Sequence, residues 1–396
     1  MAQLPEGDPA PLDGSLPSAA RSSSAPFSIY VHVPFCRVRC GYCDFNTYTP
    51  GEAGDGASAS YLEAVRAELD LAARELGPRR VETVFFGGGT PTWLPEPDLS
   101  GILGAIADRF ELAPDAEVTT EANPETVTPE YLARLREHGF TRISLGLQSV
   151  VPHVLKVLER EHSPERGLAA AGWAREAGFE HVSLDLIYGT PGESLADWRA
   201  SLDAVTGTSV DHVSAYSLIV EEGTRLAMQV RRGEIPMPDD DDLADKYLLA
   251  EEALAALGFD NYEVSNWALP GGECRHNLAY WKGADWWGTG PGAHSHIAGV
   301  RFWNRKHPRS YAAALAEGHS PALAREVLDA DQRRVERVLL ELRLRDGLPV
   351  DVLTPSEAAR LPDLEDRGMV ERVGERVRVS AGARLLADGV IRDLLD

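Results

Sequence analysis

Long apolar runs, cysteine and positive charge are scarce in this sequence, and each scarcity excludes a class of protein. No uninterrupted apolar stretch reaches the roughly 18 residues of a membrane-spanning helix, so we expect no stable membrane insertion. The chain has 4 cysteines in 396 residues, too few for a secreted disulfide framework, and a reducing compartment would keep them as thiols. Asp and Glu outnumber Lys and Arg by 62 to 39, and the net charge of -23 repels phosphate backbones, which argues against nucleic acid as a partner.

The amino-terminal segment lacks the features of a signal peptide. Residues 1–26 are rich in Pro, Ser, Ala and Gly, and they have neither a basic start nor an apolar centre. This composition predicts a disordered tail over 1–26 on a cytoplasmic protein.

Apolar, β-branched segments alternate with helical patterns through the first part of the chain. They predict six strands, at 28–33, 82–88, 116–123, 142–149, 181–189 and 212–220. Strands separated by helices pair in parallel with right-handed crossovers. Six units are too few to close an eight-fold barrel, so the pattern predicts an α/β domain over 27–262 that forms a partial (β/α)6 barrel, with a doubly wound sheet as the alternative. In both folds, ligands bind at the carboxyl ends of the strands.

The pattern changes after residue 262. An aromatic-rich stretch is followed by short helices, a hairpin over 369–380 and a last helix over 383–395. We predict a second, mainly helical and winged-helix-like domain over 263–396. Its last part, 331–396, contains 12 Arg and no Lys against 14 Asp and Glu, so it lacks the basic surface of a DNA-binding domain.

Three of the four cysteines, Cys36, Cys40 and Cys43, lie in one short loop directly after the first predicted strand. Cys40 and Cys43 have the spacing of a thioredoxin-like redox pair, but this interpretation leaves Cys36 unexplained. A zinc site would need a fourth ligand such as His32 or Cys274, and the second pair of closely spaced ligands that is typical of structural zinc sites is missing. A cubane iron–sulfur cluster explains the spacing better, because three thiolates hold three irons and leave the fourth iron open to another ligand.

Glycine and polar residues stand at the ends of the following strands. The glycine run 87–89 follows the second strand, where bare backbone can approach a ligand closely and offer free N–H groups. Glu121 and Gln148 close the third and fourth strands, and Asp185 lies within the fifth. Polar residues at such positions serve a site more often than a core, whereas Arg160 taken alone would be a solvated helix residue.

The cysteine loop YVHVPFCRVRCGYCDF resembles the C-x3-C-x2-C signature of the radical S-adenosylmethionine (SAM) superfamily. The resemblance implies a [4Fe–4S] cluster on Cys36, Cys40 and Cys43, with the remaining iron chelated by the amino and carboxylate groups of SAM. It also implies that Tyr42 packs against the adenine of SAM. The residues that match positions of the SAM pocket in this superfamily are Tyr30, Gly88, Gly89, Thr90, Glu121, Gln148, Arg160 and Asp185.

Within this superfamily the chain is similar to the oxygen-independent coproporphyrinogen III oxidase group, through the segments YVHVPFC, FFGGGTPT, EANP, SLGLQS, DLIYGTPGE and HNLAYW. The decarboxylating enzymes of this group carry a further cysteine two residues after the third, where this chain has Phe45. The HemW heme chaperones resemble this chain in having Phe there and in an H-N-x-x-Y-W motif, here residues 276–281. The resemblance therefore favours the heme chaperone branch.

An aromatic segment, residues 262–296, offers the groups that heme needs. Heme binds in an apolar slot with aromatic walls and at least one axial ligand, usually His or Cys. The candidate groups of the segment are Tyr262, Trp267, Tyr280, Trp281, Trp286, Trp287, Cys274, His276, His294 and His296. We predict His276 as the heme ligand and Cys274 as the second choice. In the alternative interpretation, the tryptophans form the interface between the two domains and His276 hydrogen-bonds a turn.

Together these predictions describe a cytoplasmic iron–sulfur protein that binds SAM, carries heme and delivers it to a client protein, which we expect to be a membrane or respiratory enzyme. The alternative is an enzyme that decarboxylates coproporphyrinogen III through a deoxyadenosyl radical, and Phe45 disfavours it. A zinc-stabilised interaction module is a third hypothesis, which the polar strand ends and the glycine run count against. The sequence is compatible with a homodimer and does not identify the client.

Overall fold

A computed structural model describes residues 5–395 of the chain. A mixed sheet of thirteen strands dominates this part of the chain, and a second sheet of three strands lies towards the carboxyl terminus. The strands of the large sheet are β1 (Asp8–Pro9), β2 (Phe27–Val33), β3 (Arg80–Gly88), β4 (Glu111–Ala122), β5 (Arg142–Gln148), β6 (His181–Tyr188), β7 (His212–Ser217), β8 (Asp260–Asn261), β9 (Asn266–Ala268), β10 (Asp285–Thr289), β11 (His294–Ile297), β12 (Val300–Asn304) and β13 (Ala322–Val327). The small sheet contains β14 (Leu348–Pro349), β15 (Val370–Val373) and β16 (Arg376–Val379).

Helices connect most of these strands. Within residues 5–395 the α-helices are α1 (Ser18–Arg21), α2 (Pro50–Ala53), α3 (Ala57–Leu76), α4 (Glu96–Ala107), α5 (Pro129–Glu137), α6 (Pro152–Val157), α7 (Pro164–Glu176), α8 (Leu195–Thr206), α9 (Arg225–Arg231), α10 (Asp240–Ala256), α11 (Arg275–Trp281), α12 (Pro308–Ala316), α13 (Ala330–Glu341), α14 (Pro355–Ala358), α15 (Leu361–Asp366) and α16 (Ala387–Leu395). Short 3-10 helices occur at Pro91–Trp93, Pro124–Thr126, Val350–Val352 and Ala381–Leu386. None of the helices in the described part of the chain is both long and apolar enough to cross a bilayer.

The centre of the large sheet is parallel. Its strands follow the order β10-β2-β3-β4-β5-β6-β7, and every neighbouring pair in this run is parallel. Strands β2 to β7 are the six predicted strands, they lie side by side in chain order, and helices connect each to the next. This order confirms the predicted α/β partial barrel, because a doubly wound sheet would reverse its strand order at a switch point.

Side chains alternate between the two faces of the parallel strands. In β2, Ile29 and Val31 are fully buried in the main hydrophobic core, whereas Tyr30 between them lines an internal cavity. In β6, Leu184 belongs to the same core and Asp185 lines the cavity. The apolar face therefore packs in the core, and the opposite face, with many polar side chains, surrounds the interior of the partial barrel.

Residues 5–26 are packed, which corrects the disordered tail predicted for residues 1–26; residues 1–4 of that prediction lie outside the described part of the chain. From residue 5 onward the segment is described, and β1 pairs antiparallel with β13. Leu16 is 7% exposed and Ala20 is 1% exposed, and both belong to the main core. The backbone N–H of Leu16 also donates to the Glu75 carboxylate of α3 at 3.2 Å. The composition predicted disorder because the segment has few apolar residues. Those few, however, pack in the core against residues that are distant in sequence.

The boundary predicted at residue 262 does not coincide with a structural one. Strand β10 pairs in parallel with β2, and β11, β12 and β13 continue the large sheet from there. A separate hydrophobic core begins at Val338 and ends at Leu394. The carboxyl-terminal domain therefore starts near α13, and it combines short helices with the small antiparallel sheet, including the predicted hairpin of β15 and β16.

Candidate cofactor site

The loop after β2 places the three clustered cysteines on the wall of one cavity. The N–H of Cys36 donates to the carbonyl of Tyr48, and the N–H of Cys43 donates to the carbonyl of Cys40, each at 3.1 Å. All three cysteines line a cavity of about 620 Å³ that also reaches the ends of the parallel strands. Burial raises the pKa of Cys36 and raises the pKa of Cys43 to about 12, so these thiols keep their protons at neutral pH unless a metal displaces them.

Two of the thiols are joined by a chain of hydrogen bonds. The Thr90 hydroxyl donates to Cys36 Sγ at 3.6 Å, and Asn123 Nδ2 donates to Thr90 Oγ1 at 3.1 Å. On the other side, Arg160 donates through Nη2 to Asn123 Oδ1 at 2.7 Å and through Nη1 to Cys40 Sγ at 3.7 Å. Arg160 is therefore part of the site and not the solvated helix residue that its sequence context suggested. Its buried Nε has no hydrogen-bond partner among the described residues, which leaves a donor beside the cavity.

The two candidate fourth ligands of a zinc site are engaged elsewhere. His32 contacts the Tyr30 hydroxyl through Nδ1 at 3.0 Å and the Asn46 carbonyl through Nε2 at 2.9 Å. The Cys274 thiol donates to Glu117 Oε1 at 3.6 Å. Neither candidate is therefore available as a fourth ligand, and the three thiols of the cysteine loop match the three protein ligands of an iron–sulfur cluster with one open iron.

The glycine run after β3 packs against the cysteine loop. Gly88 has a φ of +108°, and a Cβ on Gly89 would lie 2.5 Å from the Phe35 carbonyl oxygen, so neither position tolerates a side chain without rearrangement. The predicted free N–H groups are not found. Gly88 donates to Glu121 at 3.1 Å, and Gly89 and Thr90 donate to the carbonyls of Val33 and Phe35 at 2.8 Å. The run holds the cysteine loop in place and does not present its amides to a ligand.

Two carboxyl groups face the cavity from neighbouring parts of the sheet. Burial, followed by the charge of Asp185, raises the pKa of Glu121 to about 8. Burial also raises the pKa of Asp185, although Ser144 donates to its Oδ1 at 2.8 Å. A cationic ligand in the cavity would offset the free-energy cost of burying two negative charges and let both carboxyl groups ionise.

The remaining predicted pocket residues also line the cavity. Gln148 sits at a φ of +64°, a strained backbone conformation for a residue with a side chain. Tyr42 packs on a small apolar cluster that includes Ile187 and Leu218 and faces the same space. Tyr30 stacks on Phe85, with ring centroids 6.3 Å apart. The structure thus brings together every residue that the sequence assigned to the cluster and to SAM.

The contacts of His276 do not support its predicted role as a heme ligand. Its Nδ1 lies 2.7 Å from the Thr83 hydroxyl, its Nε2 lies 2.9 Å from the Tyr280 hydroxyl, and its ring stacks on Phe85. The residue is 1% exposed, and burial lowers its pKa to about 4. Both ring nitrogens are occupied, so an iron could bind only if one of these hydrogen bonds were broken. The second choice, Cys274, is buried at 6% exposure and its thiol is also engaged.

The sequence did not reveal what holds the H-N-x-x-Y-W helix, α11, against the barrel. Glu117 of β4 accepts from the backbone N–H of Arg275 at 3.2 Å and of His276 at 2.9 Å, and from Arg142 Nε at 2.9 Å. Burial opposes ionisation of Glu117, but Arg142 and the two N–H groups lower its pKa overall. Glu117 and Arg142 lie within β4 and at the start of β5, which sequence analysis treated as ordinary strand positions.

Comparisons with known proteins agree with this geometry. The sequence profile of the radical SAM superfamily matches residues 30–205. A protein named heme chaperone HemW from Mycobacterium tuberculosis is 53% identical over 380 residues, which cover 96% of this chain and 97% of the relative. The chain belongs to the HemW family. HemW of Bacillus subtilis is 32% identical over 92% of this chain and 97% of its own length.

The fold comparison extends over almost the whole molecule. The crystal structure of coproporphyrinogen III oxidase (HemN) from Escherichia coli, described as a radical SAM enzyme, superposes with a TM-score of 0.80 at 24% identity. The match covers 95% of this chain and 92% of that one. The predicted superfamily, family and fold are thereby confirmed. Membership in a radical SAM family implies a [4Fe–4S] cluster and SAM as cofactors, as the resemblance of the cysteine loop to this superfamily implied.

Proposed function

We propose that this protein is a cytoplasmic heme chaperone that holds a [4Fe–4S] cluster and SAM. It binds heme and delivers it to a heme-requiring membrane or respiratory enzyme. The observation that carries the proposal is the 53% identity, over 96% of the chain, to a protein named as a heme chaperone. Two parts of the proposal are expectations from the sequence: that the client is a membrane or respiratory enzyme, and that the protein forms a homodimer.

The cluster would be held by Cys36, Cys40 and Cys43. Their shared cavity wall supports this assignment, as does Arg160, whose Nη1 donates a hydrogen bond to Cys40 Sγ. When bound, the cluster supplies an iron with an open coordination position and a route for an electron to SAM.

The SAM pocket would lie beside the cluster in the same cavity. The carboxyl groups of Glu121 and Asp185 would attract the positive charge of SAM, and Gln148 and Arg160 would contact its polar groups. Tyr30 and Tyr42 would supply aromatic walls. Gly88, Gly89 and Thr90 contribute indirectly, because they hold the cysteine loop at the required distance from β3.

Phe45 favours a heme-carrying function over decarboxylation of coproporphyrinogen III. Its side chain is 58% exposed on the cysteine loop and lines the mouth of the cavity, where a thiol of the decarboxylating branch would otherwise stand. The alternative, an oxygen-independent coproporphyrinogen III oxidase, remains worth testing because the cavity retains a complete set of predicted SAM residues.

One experiment separates the two functions. The full-length protein is reconstituted anaerobically with iron and sulfide and divided between two assays. In the first, coproporphyrinogen III, SAM and a reductant are supplied and products are separated by chromatography; in the second, ferric heme is titrated and then offered to the apo form of a heme-dependent respiratory enzyme. We expect saturable heme binding, transfer of heme to the apo-enzyme and no protoporphyrinogen IX.

Two controls make the result decisive. A Cys40→Ser variant should lose the iron–sulfur absorption, whereas Cys274→Ser should keep it, because Cys274 is bonded to Glu117 and lies outside the cysteine loop. Formation of protoporphyrinogen IX by the wild type would establish the alternative, and zinc without iron or sulfide in the purified protein would contradict both functions.

A further inference from the structure

A second cavity lies next to the cofactor cavity, and it has the features of a porphyrin site. Its volume is about 570 Å³, within the range of roughly 300–1,000 Å³ that is usual for small-molecule sites. Tyr280 and Trp281 of α11, Trp286 of β10 and Leu340 of α13 form its walls. The cavity therefore lies between α11, strand β10 of the large sheet and helix α13, and its lining is largely aromatic and aliphatic.

One histidine faces this cavity with its ring nitrogens available. His294, the first residue of β11, is exposed and lines both the second cavity and a smaller one of about 290 Å³ beside it. Neither ring nitrogen of His294 forms a hydrogen bond to any residue within 5–395, and the ring is supported by stacking on Trp303 at 5.9 Å. Partial desolvation of the ring, followed by the positive charges of Lys306 and Arg301, lowers the pKa of His294, which favours the neutral imidazole that can donate a lone pair to a metal.

The other two histidines of the aromatic segment have both ring nitrogens engaged in hydrogen bonds. His276 is bonded at both ring nitrogens, as described above. His296 contacts the Ala284 carbonyl through Nδ1 and accepts from the Gly299 N–H through Nε2, each at 3.1 Å. Ligation by either would cost buried hydrogen bonds, whereas ligation by His294 would cost none that the structure describes.

Charge also distinguishes the second cavity from the first. Heme carries two propionates, and the cofactor cavity would oppose them with the carboxyl groups of Glu121 and Asp185. Among the residues that the structure describes, the second cavity has no carboxyl group in its lining, whereas the smaller cavity beside His294 is lined by Lys306 together with Asp44 and Glu121. An iron porphyrin placed against His294 can thus keep its ring among aromatic side chains, away from the carboxyl groups of the cofactor cavity.

We propose that heme binds in this groove between α11, β10, β11 and α13, with His294 as the axial ligand of its iron. The proposal rests on the function proposed above and adds the location and the ligand. The aromatic walls hold the porphyrin face, and an exposed single ligand at the start of β11 lets a client approach the iron from solvent.

The test is a titration of the cluster-reconstituted, full-length protein with ferric heme, followed by Soret absorption and electron paramagnetic resonance. In His294→Ala we expect the histidine-ligated spectrum to disappear and the affinity to fall by about tenfold or more. Added free imidazole should restore the spectrum, because it can enter the space left by the side chain. His319→Ala, which removes another exposed histidine on the loop after α12, should bind heme like the wild type.

Two further variants keep the proposal falsifiable. Leu340→Arg should obstruct the groove from α13 and weaken heme binding while leaving the iron–sulfur absorption intact. His276→Ala should lower thermal stability but keep the histidine-ligated heme spectrum. A His294→Ala protein with unchanged spectrum and affinity would overturn the assignment and leave the chaperone function standing, whereas a wild type that binds no heme would overturn the function itself.

Discussion

At the scale of single residues, the cofactor cavity contains ionisable groups whose charges and hydrogen bonds are not fully compensated by other protein atoms. Glu121 and Asp185 are buried together, and burial raises the pKa of both. Arg160 retains a buried Nε without a partner among the described residues. Uncompensated groups of this kind are costly in a folded protein, and they are common where a charged ligand completes the set.

Glu121 makes the stability of the SAM-free protein depend on pH. Its pKa of about 8 in the folded state lies above the ordinary value of 4.5, so the unfolded chain loses this proton first as the pH rises. Between about pH 5 and 8 the folded state binds more protons, and its free energy of unfolding therefore falls with increasing pH. We expect Glu121→Gln to make this fall clearly shallower, as measured by urea denaturation of the cluster-loaded protein at pH 5 and pH 8.

The control for this prediction is Glu130→Gln, which changes an exposed carboxyl group at the start of α5. It should leave the pH dependence close to that of the wild type. Equal slopes for wild type and Glu121→Gln would show that Glu121 ionises at an ordinary pH in the folded protein.

At the scale of elements, one buried carboxylate joins the parallel barrel to the strands that extend it. Glu68 of α3 is fully buried and accepts from Thr289 Oγ1 at 2.7 Å and from the Gly290 N–H at 2.8 Å, both at the end of β10. It also accepts from Asn304 Nδ2 at 2.7 Å and from the Tyr311 hydroxyl at 2.5 Å. A single side chain thus fixes α3 against β10, β12 and α12.

Removing this carboxylate should destabilise the protein strongly. Glu68→Ala leaves several buried donors without an acceptor, and we expect the free energy of unfolding to fall by about 3 kcal/mol or more. Glu63→Ala, on the exposed side of the same helix, should change it by less than about 0.5 kcal/mol. Chemical denaturation of the two variants checks this, and a similar stability for both would refute the role of Glu68.

The sequence predicted the six parallel strands because their apolar runs are bounded by turns and separated by amphipathic helices. It also predicted a site at the carboxyl ends of these strands, because the ends converge in an α/β fold. The individual residues around the cluster came from the resemblance to the radical SAM superfamily. It could not predict the free nitrogens of His294 or the occupied ones of His276. The hydrogen bonds of these nitrogens depend on partners that are distant in sequence, such as Thr83, which lies 193 positions before His276.

At the scale of the whole molecule, the first and last parts of the large sheet support each other. Strand β1 covers the edge of β13, and an uncovered edge strand is prone to pair with other chains. The segment that follows β1 adds Leu16 and Ala20 to the main core. The amino-terminal segment is therefore part of the fold and not an appendage.

A matched pair of substitutions tests this packing. Leu16→Ala removes a side chain that is 7% exposed and should lower the free energy of unfolding by about 2 kcal/mol or more. Leu12→Ala removes one that is 62% exposed, and its effect should stay within about 0.5 kcal/mol. Thermal and urea denaturation provide the measurement, and equal stabilities of the two variants would indicate that the segment is not packed.

Tyr30 and its partner His32 lie between the cofactor cavity and the groove that we propose as the heme site. Tyr30 lines both, and its hydroxyl is bonded to His32, which lines only the groove side. A wall shared by two ligands is a thermodynamic coupling element: if SAM alters the position of Tyr30, the affinity for heme changes by some factor, and heme must change the affinity for SAM by the same factor. The coupling could then be measured from either ligand: as a change in the affinity for SAM when heme leaves, or as a change in the affinity for heme when SAM is consumed.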